Sequence, residues 1–264
     1  MSWIKENTSN ILQLCAMKII KNGPIPRHVA FIMDGNRRYA DKKRFNSLKG
    51  HTDGFNKLAH TLQWCLDLGI KEVTVYAFSI ENFKRSHDEV NGLLKLAEEK
   101  FTNLLDERDK LMEHGIKICV IGNFTLIPDK LSKIMRQSTI ITKDNKQALL
   151  NIAFAYTSRD EITQTIKSLS SLVNVNQICI KNIDEKLFSN NLYTYQSSNP
   201  DLLIRTSGEV RFSDFLLWQI SDSYIHFTKS LWPEYTVWDF LKAIFFYQRY
   251  CDINNADTIS TTKL

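Results

Sequence analysis

The sequence is poor in glycine and proline. Nine glycines and five prolines stand in 264 residues, roughly 5% against a usual share near 12%. Collagen-like, proline-rich and Gly/Ser-linker architectures are thereby excluded. The glycines lie at 23, 35, 50, 54, 69, 92, 115, 122 and 208. Neither GxGxxG nor GxxxxGK can be assembled from them, which excludes those two nucleotide cradles. DDxxD, the pattern of an aspartate-rich metal clamp, is absent, and so is HExxH. The five cysteines, Cys15, Cys65, Cys119, Cys179 and Cys251, are odd in number, widely spaced and form no CxxC. This argues against a disulfide framework or a zinc site and for a reducing compartment. No apolar run approaches the roughly 20 residues of a membrane span. Lys5, Glu6 and the polar run to Asn10 interrupt anything resembling a signal peptide.

What is present is an ordinary globular balance of 43% hydrophobic and 24% charged residues, enough for a sizeable core. The net charge of +5 suits phosphate-bearing partners. The aromatic–basic interleaving of a single-strand nucleic-acid platform is missing, so no nucleic-acid partner is expected. Apolar β-rich runs alternate with helical ones. Strands are predicted at 28–33, 73–78, 116–121, 149–155, 202–204 and 225–227. Helices are predicted at 50–68, 88–114, 128–143, 158–172 and 236–250. The strands are nearly continuous in apolar residues, as expected when both faces are covered. The alternation predicts a single-domain α/β fold, with a mainly parallel central sheet of about six strands flanked by helices. Trp3, Ile4, Ile11, Leu12, Cys15, Ile19 and Ile20 give an amphipathic helix ended by Asn22-Gly23-Pro24. Such a helix can dock on the core, lie on a membrane surface or gate an exit.

In a parallel sheet, ligands bind beyond the carboxyl ends of the strands. Asp34-Gly35-Asn36-Arg37-Arg38 follows the first strand. Ser79, Glu81, Asn82, Lys84 and Arg85 follow the second. Arg205-Thr206-Ser207-Gly208, Arg211 and Ser213 follow the fifth. Arginine forks match phosphate oxygens in paired geometry. A lone carboxylate among them reads as a hard oxygen ligand for Mg2+ shared with a diphosphate. The stripe Val90, Leu93, Leu94, Leu96, Ala97, Phe101, Leu104 and Leu105 is core taken alone, and beside a diphosphate site it could line an apolar tunnel. The cluster Lys42-Lys43-Arg44 reads as a solvated basic face.

These residues carry a resemblance. The run from His28 to Ala40, with Met33-Asp34-Gly35-Asn36-Arg37-Arg38 at its centre, resembles the first signature of the cis-prenyltransferases. Ala77 to Arg85 is similar to their middle motif. Asp201 to Gln219, with Leu231-Trp-Pro-Glu-Tyr235 behind it, is similar to their late motif. The opening residues and Tyr39 resemble the eukaryotic, dolichol-forming branch. The resemblance implies repeated addition of isopentenyl diphosphate, in cis geometry, to an allylic diphosphate such as farnesyl diphosphate. It implies Mg2+ as cofactor and a long polyprenyl diphosphate product that feeds dolichol synthesis and protein glycosylation. It further implies that Asp34 holds the metal against the allylic diphosphate and that Asn36 acts near the proton that is lost. Gly35, Arg37 and Arg38 would surround the allylic diphosphate. Arg85 would stand at the boundary of the two sites, and Arg205, Arg211 and Ser213 would clamp isopentenyl diphosphate. His51, Ser79, Asn82, Thr206 and Ser207 match in supporting roles.

Two departures from the family pattern matter. Tyr224 stands where bacterial members carry a metal-binding glutamate. Single-subunit members end in Arg-x-Gly, whereas residues 248–264 contain no glycine. The resemblance therefore implies a second, Nogo-B receptor-like subunit that carries the Arg-x-Gly tail. It also implies peripheral attachment to the cytosolic face of the endoplasmic reticulum membrane. The expected organisation is an N-terminal helix at 1–23, a catalytic domain at 24–252 and a short disordered tail at 253–264. A non-catalytic scaffold of the same complex is the alternative.

Overall fold

The computed structural model describes residues 10–261. Trp3 and Ile4 of the predicted amphipathic helix lie outside the described residues. The helix itself forms as α1 (Ile11–Ile20), started by a reciprocal cap in which Asn10 and Gln13 each accept the other's backbone N–H. Met17 is buried, while Ile11, Leu12 and Ile19 stay exposed. The Gln248 side-chain N–H donates to the Ile20 carbonyl at 2.7 Å and ties this helix to the last one.

Six strands form one sheet. They are β1 (His28–Ile32), β2 (Glu72–Ser79), β3 (Ile116–Ile121), β4 (Ala148–Tyr156), β5 (Leu202–Arg205) and β6 (Tyr224–Phe227). Their order is β3-β4-β2-β1-β5-β6, and every pairing is parallel. All five residues of β1 are buried. Val29 and Phe31 enter the core on one face, and Ala30 and Ile32 enter it on the other. Two covered faces are the reason these strands read as unbroken apolar runs. With β2 on one side of β1 and β5 on the other, three strand ends open on the same crevice.

The helices that follow are α2 (Asn36–Lys43), α3 (Ser47–Leu68), α4 (His87–Asp106), α5 (Arg108–Glu113), α6 (Asp129–Ile141), α7 (Ser158–Asn174), α8 (Glu185–Ser189) and α9 (Val237–Thr261). Three details differ from the sequence expectation. The polar run Asn36–Lys43 is helical although it has no apolar stripe, and Ala40 alone of it is buried. The helix predicted at 88–114 is broken at Glu107 into α4 and α5. The closing helix does not stop near Tyr250 but continues to Thr261, so the tail expected to be disordered from 253 is helical that far. Neither glycine nor proline stands between those two residues to end it.

Candidate active site

The site begins at the end of β1. Gly35 has φ 105°, and a Cβ there would lie 2.9 Å from the Leu231 side chain and 3.1 Å from Ser207 Cβ. Only glycine fits this left-handed, crowded turn, and the turn puts the Asp34 carboxyl at the start of α2. Asp34 Oδ1 accepts the Gly35 N–H at 2.6 Å, and Oδ2 accepts from Arg205 Nη2 at 2.9 Å and lies 3.5 Å from Arg38 Nη2. The Asp34 backbone is fixed as well. Its N–H donates to Thr206 Oγ1 at 2.9 Å, and its carbonyl accepts from the Thr206 hydroxyl at 2.7 Å and from the Trp232 N–H at 3.0 Å.

Arg205, at the end of β5, has a side chain only 3% exposed. Its Nη1 donates to the Arg211 carbonyl and, at 2.7 Å, to Ser213 Oγ, while its buried Nε has no partner. Arg38 donates to the Ser207 carbonyl at 3.1 Å and to the Ser207 hydroxyl. Arg85, after β2, pairs with Glu89 of α4 at 2.8 Å. One expectation is corrected. Asp34 is not a lone acid among arginines, because Glu209 bridges Arg38, at 3.3 Å, and Arg211.

These groups line one cavity of about 910 Å³. Asp34, Gly35, Asn36, Arg37, Arg38, Arg85, Arg205, Arg211 and Ser213 all reach it, and so do His51, Ser79 and Asn82. Thr206 and Ser207 do not line it. They back it through their bonds to Asp34 and Arg38. Tyr224 is elsewhere. It pairs with Leu202 at the amino end of β6, packs against Tyr250 with ring centroids 5.2 Å apart, and does not line this cavity. An apolar part of the wall comes from α3 and α4, with Phe55, Leu58, Leu93, Leu96 and Phe101, and from β2 and β4, with Val75, Phe78, Ile152 and Phe154. The helix stripe found in the sequence thus serves both ends, Val90 and Leu104 being buried, Leu93, Leu96 and Ala97 facing the cavity, and the buried Phe101 bordering it. Lys100 also lies in that wall, its side chain 7% exposed, 2.8 Å from Glu99 and 5.2 Å from the Phe55 ring centroid. The spacing 93, 97, 100, 104 puts this position on the apolar face, and only the charge of its side chain keeps it out of a stripe read by hydropathy.

The electrostatics follow from this packing. Burial would raise the Asp34 pKa, but the hydrogen bond and charge of Arg205, the Gly35 N–H and the charge of Arg38 outweigh it and hold the carboxyl below its ordinary value. Burial pushes Arg85 down, aided by the charge of Arg37. Burial, Arg85 and Arg37 push His51 down to about 4 against the pull of Glu89, so its imidazole is neutral at pH 7. Asn36 Oδ1 and His51 Nε2 are buried polar atoms with no partner. Among the described residues, no three His, Cys, Asp or Glu side chains gather as a metal cluster. A hard cation fits here as Mg2+ commonly binds, with one carboxylate, Asp34, and further oxygens from a phosphorylated substrate.

Comparison with known proteins agrees with this geometry. The family model "Putative undecaprenyl diphosphate synthase" matches residues 32–252. The dehydrodolichyl diphosphate synthase complex subunit of Homo sapiens is 52% identical over 94% of this chain and 74% of its own length. The corresponding complex subunit of Schizosaccharomyces pombe is 41% identical over 91% of this chain and 92% of its own. The crystal structure of lavandulyl diphosphate synthase from Lavandula x intermedia, in complex with dimethylallyl diphosphate, superimposes with a TM-score of 0.80 at 31% identity. It covers 85% of this chain and 95% of that one.

Proposed function

The chain belongs to the undecaprenyl diphosphate synthase family of cis-prenyltransferases, and from that premise we propose that its cavity joins farnesyl diphosphate to successive isopentenyl diphosphate units. The activity is cis-prenyl chain elongation, and the product is the long polyprenyl diphosphate that precedes dolichol. The observation that carries the reading is the delivery of Asp34, Arg85 and Arg205 from three separate strand ends into one cavity with an apolar wall.

Two diphosphates must lie side by side, and their repulsion must be offset. Arg37, Arg38 and the amino end of α2 receive the allylic diphosphate. Arg205, Arg211 and Ser213 receive that of the isopentenyl unit, and Arg85 stands between them. As the allylic C1–O bond breaks, a carbon–carbon bond forms to the isopentenyl unit, which then loses a proton beside the Asn36 amide to a diphosphate oxygen. The arginines stabilise the charge that grows on the departing diphosphate. Mg2+, held by Asp34 together with diphosphate oxygens, supplies further neutralisation of that charge when bound. The growing chain is apolar, and the α3–α4 wall keeps it from water. The intact polar constellation leaves no observation in favour of a non-catalytic scaffold.

The two eukaryotic relatives are named as complex subunits. This supports a heteromer, and the second member we propose is Nogo-B receptor-like and brings an Arg-x-Gly tail to the site. We further propose peripheral residence on the cytosolic face of the endoplasmic reticulum. No helix among the described residues is long and apolar enough to cross a membrane, and the exposed Ile11, Leu12 and Ile19 of α1 offer a shallow apolar contact. The test is incorporation of radiolabelled isopentenyl diphosphate with farnesyl diphosphate and Mg2+, by the purified chain with and without an Arg-x-Gly subunit. A ladder of long polyprenyl diphosphates is expected, strongest with the second subunit. No incorporation under either condition by folded protein overturns the reading.

A further inference from the structure

Between Ser213 and Leu216 the backbone is strained. Ser213, Asp214 and Leu216 have φ of 49°, 59° and 48°, and none is glycine. L-residues adopt such left-handed angles only where their surroundings over-determine them. The surroundings here are specific. Asp214 sits on the amino end of α7, where its carbonyl accepts the Ser158 N–H at 2.8 Å and its Oδ1 accepts the Arg159 N–H at 3.1 Å. Its Oδ2 accepts from Arg159 Nε at 2.8 Å. Ser158 Oγ accepts the Leu217 N–H at 2.8 Å. Phe215 is fully buried and stacks on Tyr76 with centroids 4.4 Å apart, and the Tyr76 hydroxyl donates to the Ser213 carbonyl at 3.3 Å.

The loop held in this way presents the Ser213 hydroxyl to Arg205, and Arg205 in turn meets Asp34. We infer that Asp214 is a positioning residue for the isopentenyl diphosphate half of the site. Docked on α7, it holds the strained turn that aims Ser213 and, through it, Arg205. This rests on the reading of Arg205, Arg211 and Ser213 as the isopentenyl clamp. Asp214 borders the cavity, but its carboxylate is engaged by the Arg159 N–H and guanidinium, and in this role it touches no substrate. It fixes the direction of the groups that do, so its loss acts on one substrate and not the other.

The test uses the full chain in its active complex and measures KM for each diphosphate, kcat and Tm. Asp214→Ala removes the acceptor and leaves an alanine at a left-handed angle. It is expected to raise KM for isopentenyl diphosphate about tenfold, the effect of one lost charge-assisted hydrogen bond, with the allylic KM within about twofold of the parent. Asp214→Asn keeps an acceptor oxygen and tolerates the left-handed angle, so it should restore most of the loss. A folded Asp214→Ala protein with lowered Tm and both KM values unchanged overturns the proposal. If Asp214→Ala does not fold, Asp214→Gly decides, because glycine takes the left-handed angle without strain while still removing the acceptor. A raised isopentenyl KM supports the proposal, and an unchanged one overturns it. Arg205→Ala separates the two levels. If it raises the isopentenyl KM while Asp214→Ala does not, the positioning role alone falls. If Arg205→Ala leaves that KM unchanged, the clamp reading fails and this inference with it.

Discussion

Arg205 Nη2 donates to Asp34 Oδ2 at 2.9 Å, across the seam between the parallel neighbours β5 and β1. The two partners are unequal, since the Arg205 side chain is 3% exposed and that of Asp34 31%. A nearly buried guanidinium meets a carboxylate that still faces the cavity. The pair keeps Asp34 ionised and aimed outward, and it supplies Arg205 with an anion while no substrate is bound. A diphosphate bound beside Arg205 as proposed would compete for the same guanidinium.

The first prediction follows from that pair. Asp34→Ala should keep the fold and lower turnover on the order of 100-fold or more, the usual effect of removing electrostatic stabilisation from developing charge. Arg205 would be left without its carboxylate, so a modest loss of Tm is also expected. Incorporation of labelled isopentenyl diphosphate, with circular dichroism on the same sample, checks both. Near-parent turnover would remove Asp34 from the chemistry.

The second prediction separates the two diphosphates. Arg205→Ala and Arg211→Ala should chiefly raise KM for isopentenyl diphosphate, and Arg37→Ala should chiefly raise that of the allylic substrate. Arg85→Ala should raise both, because Arg85 lines the cavity that all these groups share and its charge is felt at His51 together with that of Arg37. Equal effects of all four on both substrates would indicate one undivided phosphate pocket.

The third prediction concerns pH. His51 is pushed down from 6.5 to about 4, first by burial and then by Arg85 and Arg37. The unfolded chain therefore takes up this proton near pH 6.5, and the folded chain only near 4. Stability from this group is retained above pH 6.5 and is lost as pH falls through the window toward 4, by about 2 kcal/mol at pH 5. His51→Gln should flatten that slope. Urea unfolding of parent and variant at pH 7 and pH 5 measures the difference, and parallel slopes would contradict the assigned shift.

The fourth prediction contrasts two glycines on one face of α3. A Cβ at Gly54 would lie 2.2 Å from Asn36 Oδ1, the far end of a side chain, whereas one at Gly50 would lie 2.3 Å from the Asn36 backbone oxygen. Gly54→Ala should therefore swing the Asn36 amide aside, press on the Trp232 ring 3.0 Å from that Cβ, lower Tm less than Gly50→Ala does, and lower kcat. Gly50→Ala must shift backbone and should cost about 2 kcal/mol of stability. Thermal unfolding and turnover of the two variants, side by side, distinguish the cases. A Gly54→Ala enzyme with parent kcat would free Asn36 from any part in the reaction.

Much of the architecture was legible in the residues. The run from Ile116 to Ile121 forms a strand over the predicted range, and Gly69 caps α3 in a left-handed conformation with φ 83°. Such features are local, because burial periodicity and turn chemistry are set by near neighbours in the chain. The crevice at the strand ends was also legible, since an all-parallel sheet places its loops on one side. The short α2 was not, because a polar helix held in place by Gly35 and by its packing on α3 carries no periodic signal.

The sequence by itself determined which groups were available, namely Asp34, the arginines and the small hydroxyl donors at three strand ends, and the parallel α/β frame that carries them. Only the tertiary structure decided who meets whom. Asp34 and Arg205 are 171 residues apart and are joined by the register of β1 on β5. Glu209 became a second acid of the site by bridging Arg38 and Arg211. Tyr224 fell at the far end of its strand, away from the cavity. Asp214 reached the amino end of α7 and took hold of the strained loop beside Ser213. Strand register and loop docking arise from packing between distant segments, and no local pattern of residues encodes them.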